Sequence, residues 1–152
     1  MLTAARFFKI LLRILAGGVF AYSGWNKLIR PVEEFRYSIE QYRAFPSALT
    51  RLLSNVLPWF ELIFGTFLLI GFLRKASAGA LNMLCAGFLI LLFSTMIRHI
   101  DISNCGCFGE GIHLSAAQAL ALDSCLFLSL LFLARVSEID FEFDARLKKK
   151  ND

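Results

Sequence analysis

The sequence has 152 residues, of which 57% are hydrophobic and only 18% charged, with 16 phenylalanines and a formal net charge of +4. Soluble domains carry charge on about a quarter of their residues, so this composition excludes an ordinary water-exposed domain. The length allows one domain, and what matters is whether the apolar residues form runs of about 20, the length that crosses a bilayer.

Four such runs follow in chain order. The first is free of charge from Ile14 to Asn26 and extends over 10–28 if Arg13 and Lys27 reach outward to the two interfaces. A cleaved leader is the alternative, but no A-x-A-like site follows, and the run leads into Trp25-Asn26-Lys27. Gly17, Ala21 and Gly24 share one face of this helix, where a second helix can approach closely. In the link that follows, Pro31 with Glu33 and Glu34 marks a helix start and Pro46 an end. Phe35, Ile39 and Tyr42 fall on one face, opposite Arg36, Glu40 and Arg43, which predicts an amphipathic segment over 32–45 that lies on the membrane or caps the bundle.

The second run, 52–73, is broken only by Glu61, which shares a face with Pro58 and Gly65. The third, 76–97, has no charged side chain, and Gly79, Asn82 and Ala86 share a face there. The fourth, 114–134, is broken only by Asp123, and Ser115 with Gln118 is spaced as a capping box at its start. The tail from Ser137 to Asp152 is polar. The expected fold is therefore all-α: an integral membrane four-helix bundle with a short extracytoplasmic amphipathic helix between spans 1 and 2.

Four spans place both termini on one side. Arg6, Lys9 and Arg13, Arg74-Lys75, and Arg135, Arg146 and Lys148-Lys149-Lys150 lie on the side of the termini, against Lys27, Arg30, Arg36, Arg43 and Arg51 in the first link and only Arg98 in the link between spans 3 and 4. That distribution predicts cytoplasmic termini. Tyr22, Trp25 and Trp59 fall at the opposite ends, where an aromatic belt would lie.

The last link contains "NCGCFG", Asn104 to Gly109. Its predicted extracytoplasmic position is one where disulfide chemistry is permitted. Three chemistries suit a close thiol pair. Cys105 and Cys107 can close a small disulfide ring because Gly106 tolerates unusual backbone angles, and strain would make that bond easily reduced. Such a pair suits exchange, with Phe108 and Gly109 completing the loop. The same ring could instead be a fixed clasp. A third choice is a metal held by Cys105, Cys107, His99 and His113, although C-x-C is tighter than the usual zinc spacing.

Glu61 and Asp123 are costly in lipid and should face the bundle interior, either as proton carriers or as packing hydrogen bonds with partners such as Asn82, Gln118 or Ser23. Cys85 and Cys125 fall near mid-membrane. Cys125 projects roughly 200° away from Asp123, and both thiols suit the role of small hydrophobes.

Taken together, these landmarks resemble the MauE/DoxX family of small four-span bacterial membrane proteins. The matching stretches are "RILAGGVFAYSGWNKLIRP", "LPWFELIFGTFLLIGFLRK" with its P-x-x-E-L-x-x-G block, "CGCFGEG", and Asp123. The cysteine block resembles the MauE branch. That resemblance implies an inner-membrane protein that supports maturation of a disulfide-rich periplasmic dehydrogenase subunit in methylamine utilisation, alongside a thioredoxin-like partner. It also implies likeness to quinone-linked disulfide-forming proteins of the DsbB and VKOR kind, with Cys105 and Cys107 as the pair meeting the partner. Unlike those proteins, this sequence has no CxxC and no second external cysteine pair. The expected cofactor is a quinone, the expected surroundings are lipid, and no nucleic-acid partner is expected.

Overall fold

The computed structural model describes residues 2–99 and 116–135, and all secondary structure among them is helical. Five helices follow one another: α1 (Leu2–Leu28), α2 (Val32–Gln41), α3 (Ser47–Ile70), α4 (Arg74–Ile97) and α5 (Ala116–Arg135). Four stretches are long and apolar enough to cross a membrane: Phe7–Leu28, Ser47–Ile70, Arg74–Ile97 and Ala117–Arg135. Their outer faces carry large apolar side chains such as Phe7, Met83, Ile90 and Leu128, all more than 60% exposed. Exposed apolar surface on this scale needs lipid rather than water around it.

The turns explain the helix boundaries. α2 stops at Gln41, earlier than the sequence pattern suggests, because Arg43 takes a left-handed conformation with φ of 48°. Pro46 then opens α3 rather than merely closing α2: its ψ is 153° and its carbonyl accepts from the N–H groups of Leu49 and Thr50. α3 ends where Gly71 turns to φ 81° and Phe72 N–H bonds back to the Phe67 carbonyl at 2.9 Å, a glycine-dependent helix stop. Three residues later α4 begins, so α3 and α4 form a tight hairpin.

The closest packing joins α1 to α3. A methyl group added at Gly24 would lie 2.6 Å from the Leu62 nitrogen and 2.7 Å from the Pro58 carbonyl oxygen. One added at Gly65 would lie 2.6 Å from the Ala21 nitrogen. The expected small-residue faces, Gly17–Ala21–Gly24 and Pro58–Glu61–Gly65, thus meet backbone to backbone. The third expected face behaves differently. Gly79 has nothing within 4 Å of an added methyl, and α4 instead buries Ser77, Ala78, Leu81, Cys85, Leu92 and Thr95.

α4 and α5 make the second extensive pair. Between the two pairs lies an apolar core of Ala16, Phe20, Leu68, Ala78, Leu81, Cys85 and Leu130. α2 lays Phe35 and Ile39 inward, followed by Tyr42 just past its end, while Tyr37 points out, and it packs on α3 and α1.

Arg13 and Lys27 correct an expectation. The span length suggested that both reach outward to the interfaces, yet they are only 8% and 4% exposed. Arg13 tucks beneath the α3–α4 turn, its Nη1 only 2.8 Å from a methyl placed on Gly71. Lys27 turns toward α3.

Candidate functional site

Ser23 and Lys27 are four residues apart and so occupy neighbouring positions on one side of α1. The glycine contact at Gly24 brings that side against Glu61 of α3. Lys27 Nζ donates to Glu61 Oε1 at 2.7 Å and to Oε2 at 2.8 Å, and Ser23 Oγ donates to Oε2 at 2.9 Å. The side chains of the ion pair are 1% and 2% exposed. Phe35 of α2 closes over the ammonium, its ring centre 4.7 Å from Nζ, and Phe88 of α4 lies at 5.8 Å. Burying two charges is costly, and only several good hydrogen bonds offset the lost hydration. Here the carboxylate accepts three and the ammonium adds aromatic faces.

Across the bundle, Asp123 of α5 is 7% exposed. The side chain of Cys85, on α4, faces its carboxyl. Its Oδ2 is buried without a hydrogen-bond partner, as is Oδ1 of Asn82, one turn before Cys85. Glu61 and Lys27 both lie within electrostatic reach of Asp123. The two acids that the sequence places in separate helices therefore belong to one polar centre, with α1, α3, α4 and α5 each contributing a side chain.

Other expected groups are separated. Cys125 is exposed while Cys85 is buried, in keeping with the angle between Cys125 and Asp123. Gln118 is exposed near the start of α5, whereas Ser23 bonds to Glu61. Lys27 is the residue that sequence reasoning missed. Its signal was its place one turn after Ser23, beside the small-residue face that must meet another helix.

Just past its far end, α4 is tied to the turn that follows α2. Arg98 Nη2 donates to the Tyr42 carbonyl at 2.8 Å and Nη1 to that of Arg43 at 3.3 Å. His99 follows, exposed, with φ of 49°. Beside this end runs an open groove of about 530 Å³ lined by Leu89, Ile90, Phe93, Ile97 and Leu120, with Ser94 and Arg98 as its polar groups. Cys105, Gly106, Cys107, Phe108, Gly109 and His113 lie outside the described residues, as does the capping Ser115. Among the described residues, no three His, Cys, Asp or Glu side chains are grouped to hold a metal.

No curated protein and no solved structure matches the chain. The family model described as methylamine utilisation protein MauE matches residues 5–136. Covering nearly all of the four apolar helices and the link that carries the cysteines, that match shows that the chain belongs to the MauE family, a family of membrane proteins.

Proposed function

We propose that this chain is a thiol–disulfide redox protein of the bacterial inner membrane. In this reading, Cys105 and Cys107 exchange with a soluble extracytoplasmic thioredoxin-like partner and so support maturation of periplasmic proteins in methylamine utilisation. The observation that carries the reading is a C-x-C pair in the link between two membrane-spanning helices of a MauE-family chain. The burial of Cys85 and exposure of Cys125 support it too, since those thiols face different surroundings and do not form a competing pair. The Lys and Arg distribution supports cytoplasmic termini. Exposed Tyr22, Trp25 and Trp59 suit an aromatic belt at the other face.

The exchange moves two electrons and two protons. In the oxidising direction, a partner thiolate attacks the Cys105–Cys107 disulfide, and one cysteine joins it in a mixed disulfide while the other leaves as a thiolate and takes a proton. The partner's second thiol then displaces the bound cysteine, so the partner ends as a disulfide and Cys105 and Cys107 as thiols. The reducing direction is the same exchange reversed. Thiolate stability decides which cysteine attacks or leaves first, and the Arg98 guanidinium favours negative charge near the start of the link.

Regenerating the disulfide needs a two-electron, two-proton acceptor, which a quinone supplies when bound. The residues present suit one: the groove beside Arg98 has apolar walls for a ring or isoprenoid tail, polar groups at Ser94 and Arg98, and a volume of about 530 Å³, within the range of small-molecule sites.

Trapping tests the exchange. A Cys107→Ser or a Cys105→Ser variant should accumulate a mixed disulfide with a periplasmic thioredoxin-like protein, seen as a reductant-sensitive adduct by mass spectrometry. If neither variant captures a partner, and the wild-type pair stays oxidised in mild reductant, the proposal fails. A Cys105→Ser/Cys107→Ser double variant that keeps full function would make the pair a clasp. Stoichiometric metal in the purified protein would make it a metal ligand.

A further inference from the structure

The seam between the two helix pairs gathers one cation and two carboxyls among the described residues: Lys27, Glu61 and Asp123, which are 4%, 2% and 7% exposed. Glu61 is well served, accepting two hydrogen bonds from Lys27 and one from Ser23. Asp123 is not. The Cys85 thiol engages it from α4, Glu61 and Lys27 act on it from α3 and α1, and its Oδ2 remains buried with no partner. If both acids were ionised, a single ammonium would leave one negative charge uncompensated inside the membrane, where an unpaired charge is expensive.

The hydrogen-bond inventory points the same way. Asp123 Oδ2, an acceptor when Asp123 is a carboxylate, is buried with nothing to accept from. A proton on Asp123 removes the charge that this unpartnered oxygen would otherwise carry and completes the charge balance at once. We infer that this centre is a proton-binding site, with one exchangeable proton held on Asp123 and compensated jointly with the Lys27–Glu61 pair. Its ligand is the proton itself. The site is independent of the thiol exchange proposed above, because it is built from side chains inside the bundle rather than from the C-x-C link.

Infrared spectroscopy of the full chain in lipid nanodiscs at neutral pH reads the proton directly. The expected result is a carboxylic-acid carbonyl band that moves to lower frequency when aspartate side chains carry ¹³C, stays put when glutamate side chains carry it, and disappears in Asp123→Asn. In Lys27→Met the cation is lost, so a second acid band should appear, this one responding to the glutamate label. Cys85→Ala, which removes the facing thiol, should shift the aspartate band without abolishing it. The labelled wild-type measurement does not depend on any variant folding. Absence of an acid band in the wild type, a wild-type band that follows the glutamate label, or a band that persists in Asp123→Asn overturns the assignment.

Discussion

The two helix pairs are held together by different means. α1 and α3 meet through glycine, with backbone against backbone and a saturated ion pair beside the contact. α4 and α5 pack through ordinary side chains, their glycines Gly79 and Gly87 have open space around them, and their polar contact is a thiol on a carboxyl with one oxygen unpartnered. Shape fixes the first pair so closely that almost nothing larger fits. The second has room to spare. A bundle built this way has one rigid half, and the adaptable half carries the link with the cysteines.

Substitution at the glycines should break this contrast most visibly. Gly24→Leu sets a side chain into the backbone of Pro58 and Leu62, which cannot move aside, and should cost about 3 kcal/mol or more. Thermal unfolding in detergent, or loss of folded material on gel filtration, measures it. Gly79→Ala in the same assay should be neutral or slightly stabilising, since helix propensity favours alanine by up to about 1 kcal/mol. Equal damage from both would mean that the two pairs are alike.

An effect of similar size tests the ion pair. Lys27→Met or Glu61→Gln alone leaves a charge without its partner and should destabilise by about 3–5 kcal/mol. The Lys27→Met/Glu61→Gln double variant should recover a large part of that loss, because neither charge is then buried. A double-mutant cycle of unfolding midpoints gives the coupling, and simple additivity would show that the pair contributes little.

The mildest test concerns the remaining thiols. In detergent-free membranes or nanodiscs, an apolar maleimide should label Cys125 much faster than Cys85, and Cys125→Ser should change stability by no more than about 0.5 kcal/mol. Comparable labelling of the two would contradict the burial of Cys85 against Asp123.

Much of this architecture was legible in the sequence. Apolar runs with few charges fix the spans, because hydrocarbon tolerates few charges, and the small-residue faces of α1 and α3 marked where another helix could approach closely. Local pattern failed where a partner distant in sequence decides the outcome. Lys27 lies at the end of its run, where a lysine usually reaches for the interface; only the approach of Glu61, brought in by Gly24, turns it inward. Asp123 and Cys85 are likewise joined by packing between α4 and α5, which no spacing within either helix encodes. Gly79 failed for the opposite reason: a small residue permits close approach but does not compel it. In the 32–45 segment, the apolar period continues to Tyr42 while the left-handed Arg43 stops the helix, a backbone event that periodicity does not register.

The burial of Arg13, midway along α1, and of Lys27, at its end, has a consequence for how the protein sits in bilayers of different thickness. About 21 Å of helix separates the two residues, less than the roughly 30 Å hydrocarbon depth of a typical bilayer. One is clamped beneath the turn at Gly71 and the other by Glu61. α1 therefore has no freedom to slide along the membrane normal relative to α3, and its cations are not free to follow a moving interface. A thinner or thicker bilayer must be met by tilting α1 and α3 together, as one two-helix stave.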